Sequence, residues 1–326
     1  MRGRLAALAL ALLPDPARAE GLHLVWPVAC RLGETCLVQH YVDRDPGPGA
    51  RDFRCGTLTY DAHNGTDIRL LTTKAQREGV AVLAGAPGKV LRLRDDAEDG
   101  EAQRLGRASV KGRECGNGLV VAHEGGFESQ YCHMAKGSLV VSPGQRVAEG
   151  QPLGRIGLSG DTEFPHLHFT LRRDGKVVDP FALDAPEESC GGGATAWAPE
   201  LRERLAYHAG AVLNAGFSDG PVTMAGIDDG IGLGALGEDT GALVPFARAI
   251  GLRRGDVQRL TLAGPDGKVL VDRSAPALES DKAQVMMFSG LRRPASGWPA
   301  GPYRAAYTVT RDGQVAVRRD FTVDRR

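Results

Sequence analysis

No sign of charge dominates this chain of 326 residues: Lys plus Arg and Asp plus Glu both number 40. Such a balance leaves no electrostatic footprint for nucleic acid, so no nucleic-acid partner is expected. Long apolar runs are also lacking. Residues 5–13 are all Ala or Leu, but nine residues are about half of what a bilayer span needs. Arg2 and Arg4 stand before the run, and Pro14, Pro16 and Ala17-Arg18-Ala19 follow it. That order predicts a secretory signal peptide over 1–19, cut after Ala19. The mature chain is then expected to be exported, to the periplasm or beyond, with no membrane anchor. No cysteine stands at the cleavage point, so lipid anchoring is not indicated. Cysteine is absent beyond Cys190, which confines any disulfide framework to the first part of the chain.

What is abundant is glycine, 44 residues, with 19 prolines. This favours strands and turns over a helical bundle. The six cysteines are Cys30, Cys36, Cys55, Cys115, Cys132 and Cys190. An even set in an exported chain reads as disulfides. Cys30 and Cys36 enclose a short loop and are expected to pair. Cys190 lies beside Gly191-Gly192-Gly193 in an expected linker, where a bond back to the first domain would fasten it. The remaining pairings are not readable.

Short strands follow one another at glycine-rich turns from about residue 22 to 182. The fold class expected is mostly β: a glycine-rich antiparallel sheet domain over 20–183, a linker and helix over 184–217, and a small β-sandwich-like accessory domain over 218–326. The helix is read over 199–215 from the apolar stripe Leu201, Leu205, Val212 and Leu213. Residues 222–227 read as a strand. Asp266-Gly267 and Asp312-Gly313 mark hairpins in the last domain, and Met286-Met287-Phe288 reads as core. No cluster of His, Cys and carboxylate marks a site there.

Chemistry concentrates in Pro165-His166-Leu167-His168-Phe169. On a strand, His166 and His168 share one face while Leu167 and Phe169 turn to a core. Two adjacent imidazoles cost desolvation unless their nitrogens are used, and a metal uses them. His63 and Asp67 flank Asn64-Gly65, a turn that can fold both side chains onto one point. His133 stands near the end of the strand 128–134. The candidate set is therefore His63, Asp67, His133, His166 and His168. Three protein ligands and a water make a catalytic zinc centre, leaving two histidines for proton transfer and oxyanion stabilisation. His23 and His40 fall outside the cluster and read as surface or hydrogen-bonding residues. His123 reads as a solvated turn histidine.

The segments His63-Asn64-Gly65-Thr66-Asp67, Tyr131-Cys132-His133-Met134 and Pro165-His166-Leu167-His168-Phe169 resemble the three signatures of the lysostaphin/LytM-type zinc metallopeptidases (family M23). Trp26-Pro27-Val28, Gly154-Arg155-Ile156-Gly157 and Asp174-Gly175-Lys176-Val177-Val178-Asp179-Pro180 are similar too. The resemblance covers about residues 22–182. It implies His63, Asp67 and His168 as ligands of Zn2+, His133 and His166 as catalytic residues, and a groove with zinc at its floor. It also implies endopeptidase cleavage of peptidoglycan peptides as the activity, in the cross-bridge or the stem. Thr162-Glu163-Phe164 departs from the Ser-Thr-Gly common before the Pro-His-Leu-His motif, placing a bulky ring and an acid beside the cleft. Cys132 is expected to face away from the zinc as half of a disulfide. A different reading is a non-catalytic envelope protein that binds peptidoglycan or activates an amidase, and a further one is a secreted peptidase acting on proteins. The accessory domain would position the enzyme, shield the groove or bind an envelope partner, and nothing in its residues chooses between these.

Overall fold

A computed structural model of the chain describes residues 21–186, 188–232, 237 and 239–325. The expected signal peptide lies outside the described residues.

The first ten strands are β1 (Cys36–His40), β2 (Thr66–Leu70), β3 (Ala81–Leu83), β4 (Gly88–Arg94), β5 (Asn117–Ala122), β6 (Phe127–Met134), β7 (Arg146–Val147), β8 (Pro152–Arg155), β9 (His166–Arg173) and β10 (Lys176–Val178). Eight of them form one antiparallel sheet in the order β1-β2-β9-β6-β5-β4-β7, with β10 beside β9; β3 and β8 pair separately. Strand β9 shows why this sheet has a dry face and a working face. Leu167, Phe169 and Leu171 are fully buried in the core, each contributing on the order of 1.5–3 kcal/mol. The alternate residues His166, His168 and Thr170 point to the opposite face. Strand β2 divides in the same way, with Ile68 and Leu70 in the core and Asp67 and Arg69 on the histidine side.

Two parts of the expected layout are corrected. Residues 199–215 do not make a helix. A single 3-10 turn, Pro199–Leu201, gives way to a strand that starts at Ala211. The preceding segment is no free linker either. Leu24 N–H donates to Ala196 O, Ala198 N–H donates to Leu24 O, and Trp197 and Leu205 are buried in the core of the first sheet. The apolar stripe was real, but it serves this core through Leu201 and Leu205 and the next sheet through Val212 and Leu213. Residues 222–227, read as a strand, run into the helix Met224–Asp228, capped by the Thr223 hydroxyl accepting from Gly226 N–H.

The remaining strands are β11 (Ala211–Ser218), β12 (Ala242–Leu252), β13 (Val257–Ala263), β14 (Val269–Ser274), β15 (Lys282–Phe288), β16 (Leu291–Arg292), β17 (Gly301–Arg311) and β18 (Gln314–Arg325). They make two four-stranded antiparallel sheets, β11-β12-β15 with β16 on β12, and β14-β13-β17-β18. Ala247 and Leu252 of the first sheet share a core with Leu260, Tyr307 and Val309 of the second, which is the packing of a β-sandwich. Within Met286-Met287-Phe288 only Met287 is buried; Phe288 is exposed.

Three disulfides join Cys30 to Cys36, Cys55 to Cys190 and Cys115 to Cys132. The first two realise the short loop and the fastening of the 190s segment. No described helix is long and apolar enough to cross a membrane.

Candidate metal centre

Pairing of the strands lays a row of side chains across the sheet. Asp67 on β2 is opposite His40 on β1 and His168 on β9, and His168 is in turn opposite Cys132 on β6. Directly opposed residues of antiparallel strands share a face. His63 joins from the turn before β2, where Gly65 is needed for close approach: a Cβ there would lie 2.6 Å from His168 Nε2.

His63 Nε2 and His168 Nδ1 lie 3.2 and 2.9 Å from Asp67 Oδ1 and 3.2 Å from each other. Their other nitrogens are committed outward. His63 Nδ1–H donates to Tyr41 O at 2.6 Å, and His168 Nε2–H donates to Asn64 Oδ1 at 2.9 Å. In the neutral imidazoles this leaves two lone pairs facing a carboxylate oxygen. Burial alone would raise the Asp67 pKa, but the imidazoles of His166 and His63 outweigh it and hold the carboxyl well below the usual carboxylate range. Three inward-facing donors around one point need a positive charge among them. Their mutual spacing is that of donors about 2 Å from a shared tetrahedral ion, so the residues fit a zinc ion. The His40 Nδ1–H donates to Asp67 Oδ2 at 3.0 Å and orients the carboxylate from behind.

His133 and His166 stand on the other side of this point. His133 Nδ1–H donates to Ser159 O at 2.8 Å, and His166 Nδ1–H donates to Phe164 O at 2.9 Å. Both therefore present Nε2. His166 Nε2 lies 3.3 Å from Asp67 Oδ1, and the two rings are 4.7 Å apart. Burial lowers the His133 pKa well below its ordinary value, and the charges of His166 and His168 add to the effect. Burial likewise lowers that of His168, which its bond with Asp67 only partly offsets. His133, His166 and His168 form a second group within 4.8 Å that could hold an ion. The group around Asp67 is tighter and includes the carboxylate.

The position of His133 depends on a break in β6. Asn117 pairs with Met134 and Leu119 with Tyr131, so Cys132 and His133 together oppose Gly118, a β-bulge. His133 takes φ +62°, and a Cβ on Gly118 would lie 2.1 Å from Tyr131 O. Because alternation stops there, two consecutive residues reach the same cavity. Cys132 does not face away from the site as simple alternation required; it lines a cavity of about 360 Å³ together with His133 and His168. Its sulfur is bonded to Cys115, so it is no nucleophile.

The five predicted residues thus converge. His40, Tyr60, Arg107 and Asp161 join them without having been singled out. Tyr60 packs 4.4 Å from the His63 ring. Arg107 and Asp161 form a two-pronged ion pair that borders the cavities on both sides of the centre. They come from a 3-10 turn and a loop 54 residues apart, and no local pattern marks them. His40 gave one signal, a polar residue ending an otherwise half-buried strand. His123 is not solvated: its nitrogens meet Pro87 O and Ser129 Oγ, both at 2.7 Å.

A second cavity, of about 520 Å³, opens beside His166, Phe164 and His40 and is closed on its far side by Leu252, Lys282 and Ala283 of the sandwich.

Residues 61–180 match the model of peptidase family M23. The peptidoglycan DD-endopeptidase ShyB of Vibrio cholerae is 31% identical over 124 residues, 38% of this chain and 24% of that protein. The murein hydrolase activator EnvC of Escherichia coli is 40% identical over 65 residues, 20% of this chain and 16% of that protein. The chain spans about a quarter or less of the length of these curated relatives. A solved zinc-containing peptidase from Vibrio cholerae aligns over 46% of this chain and 41% of that one, at 25% identity and a TM-score of 0.30. The likeness to peptidase family M23 is carried by residues 61–180, the stretch that holds β2 to β10 of the first part of the chain.

Proposed function

We propose that the chain is an exported, zinc-dependent endopeptidase that hydrolyses peptide bonds of peptidoglycan. The observation that carries this is the meeting of His63 Nε2, Asp67 Oδ1 and His168 Nδ1 within 2.9–3.2 Å, beside the Nε2 atoms of His133 and His166. On this reading His63, Asp67 and His168 hold the metal. Zinc bound there supplies Lewis acidity, polarising the scissile carbonyl and acidifying the attacking water.

The chain's own groups handle the protons. His133, kept neutral by burial, has a free Nε2 to accept a proton from the attacking water. That proton then goes to the amide nitrogen as the C–N bond breaks, giving a carboxylic acid and an amine, which exchange the acid's proton to become carboxylate and ammonium. His166, with its Nδ1–H fixed on Phe164 O, would meet the oxyanion as an imidazolium that has taken a proton from solvent on Nε2 before substrate binds, and would donate that Nε2–H. The names of the relatives support a peptidoglycan peptide as substrate. Three disulfides support an oxidising compartment such as the envelope. The division proposed is a peptidase domain to residue 183, a packed connector over 184–217 and an accessory sandwich over 218–326, which is also where an envelope partner would dock.

The similarity to an activator favours a second reading, a non-catalytic activator of another murein hydrolase. The presence of all five side chains weighs against it. Zinc-loaded mature protein is incubated with purified sacculi of differing cross-bridge chemistry, and released muropeptides are identified by mass. Release of cleaved stem or bridge peptides supports the peptidase. Zinc binding without any release, joined by stimulation of an added amidase, supports the activator.

A further inference from the structure

Arg69 follows Asp67 on the groove side of β2 and is 4% exposed. Its guanidinium has no carboxylate partner among the described residues. Nη1 donates to Gln39 Oε1 at 2.5 Å and Nη2 to Gln284 Oε1 at 2.7 Å. Its Cζ lies 4.2 Å from the centre of the Phe164 ring, a cation–π contact. Phe164 in turn packs 4.7 Å from the His166 ring and 6.4 Å from that of His40. A buried cation held only by neutral oxygens is a poor stabiliser; an apolar side chain of similar size would serve packing alone at least as well. What the guanidinium adds is direction, because a planar fork with two fixed acceptors can set a ring stacked on its face.

One of those acceptors, Gln284, belongs to β15 of the sandwich. The sandwich also grips the end of β2, where Arg248 Nη2 and Asn214 Nδ2 donate to Leu71 O at 2.6 and 3.2 Å. Its residues Leu252, Lys282 and Ala283 close the cavity whose near wall contains Phe164 and His166. Sandwich and catalytic sheet thus meet on the strand that carries Asp67, and they meet beside the groove.

We infer that the sandwich is part of the substrate-binding apparatus: Gln284, acting through Arg69, sets the position of Phe164 and so the shape of the groove on the His166 side. Arg69 and Gln284 are positioning residues that govern which peptide fits. The inference rests on the peptidase reading for its kinetic consequence.

The test uses the full mature chain and a purified cross-linked dimeric muropeptide. Gln284→Ala removes one acceptor and is expected to raise KM about fivefold, the equivalent of one hydrogen bond, with kcat within about twofold of wild type. Gln284→Glu keeps an acceptor oxygen for the guanidinium and is expected to retain the wild-type KM. Arg69→Met should raise KM at least as much as Gln284→Ala. If it fails to fold, the two Gln284 variants carry the comparison. Calorimetry of the same muropeptide on metal-free protein should show the same order of affinities. Active wild type with an unchanged KM in Gln284→Ala overturns the inference and leaves the peptidase intact. Inactive zinc-loaded wild type overturns the peptidase reading. The inference then depends on metal-free binding, where equal affinity of wild type and Gln284→Ala overturns it.

Discussion

His40 Nδ1 lies 3.0 Å from Asp67 Oδ2, while His63 and His168 approach the other oxygen of the same carboxylate. The two oxygens therefore have different duties, one facing the centre and one anchored behind it. Removing the anchor in His40→Ala should weaken zinc binding about 10–100-fold while saturating metal still gives one ion per chain. Competition against a chromophoric chelator measures this.

His63→Ala and Asp67→Ala should lose zinc and turnover together. His133→Ala should keep its zinc and lose about 10²–10⁴-fold in hydrolysis. Elemental analysis alongside muropeptide release separates the two classes. Zinc loss in His133→Ala would mean that the ion sits in the three-histidine group instead. The left-handed backbone at residue 133 strains alanine as it strains the native histidine, so thermal stability should be recorded with the metal content.

The Cys55–Cys190 bond spans 135 positions of sequence. By loop-closure entropy it stabilises the fold by about 5 kcal/mol, against about 3 kcal/mol for Cys115–Cys132. Serine pairs at 55 and 190 should therefore lower the urea midpoint more than serine pairs at 115 and 132. Equal losses would show that native-state effects outweigh chain entropy.

Burial raises the pKa of Asp179 to about 6; Phe181 N–H donates to Oδ1, and Oδ2 has no partner among the described residues. An unfolded chain loses that proton near pH 3.9. Between the two values only the folded state holds it, so its contribution is full below about pH 4 and fades as pH rises through 6. The total is roughly 3 kcal/mol. Asp179→Asn keeps the acceptor oxygen and should lose this slope, gaining stability over wild type at pH 7.5 but not at pH 4. Urea titrations at both values test it.

How far the sequence could be read follows from how local each signal is. Two-residue spacing put His166 and His168 on one face, and Asn64-Gly65 announced the turn between His63 and Asp67. The hairpins at Asp266-Gly267 and Asp312-Gly313 carry their own turn chemistry and appear as β13–β14 and β17–β18. The stripe over 199–215 misled because four apolar residues at helical spacing also suit a 3-10 turn and a strand serving different cores. His40 could not be placed, since its partner is 27 residues away and only strand pairing brings them together. The face of Cys132 was misjudged because a bulge leaves no mark in the period of the strand.

That bulge has a mechanical consequence. An extra residue in an antiparallel pair is a register defect, and a defect can migrate as one strand slips past the other. Here Cys132, just before the turned residue, is tied covalently to Cys115, and His133 N–H donates to Cys115 O at 2.9 Å. On the far side Met134 is wholly buried. A slip of one position would drive an imidazole into the seat of that methionine and expose the thioether to the groove. The bond makes the fault in the ladder stationary, so His133 is located by a pinned dislocation and not by regular sheet.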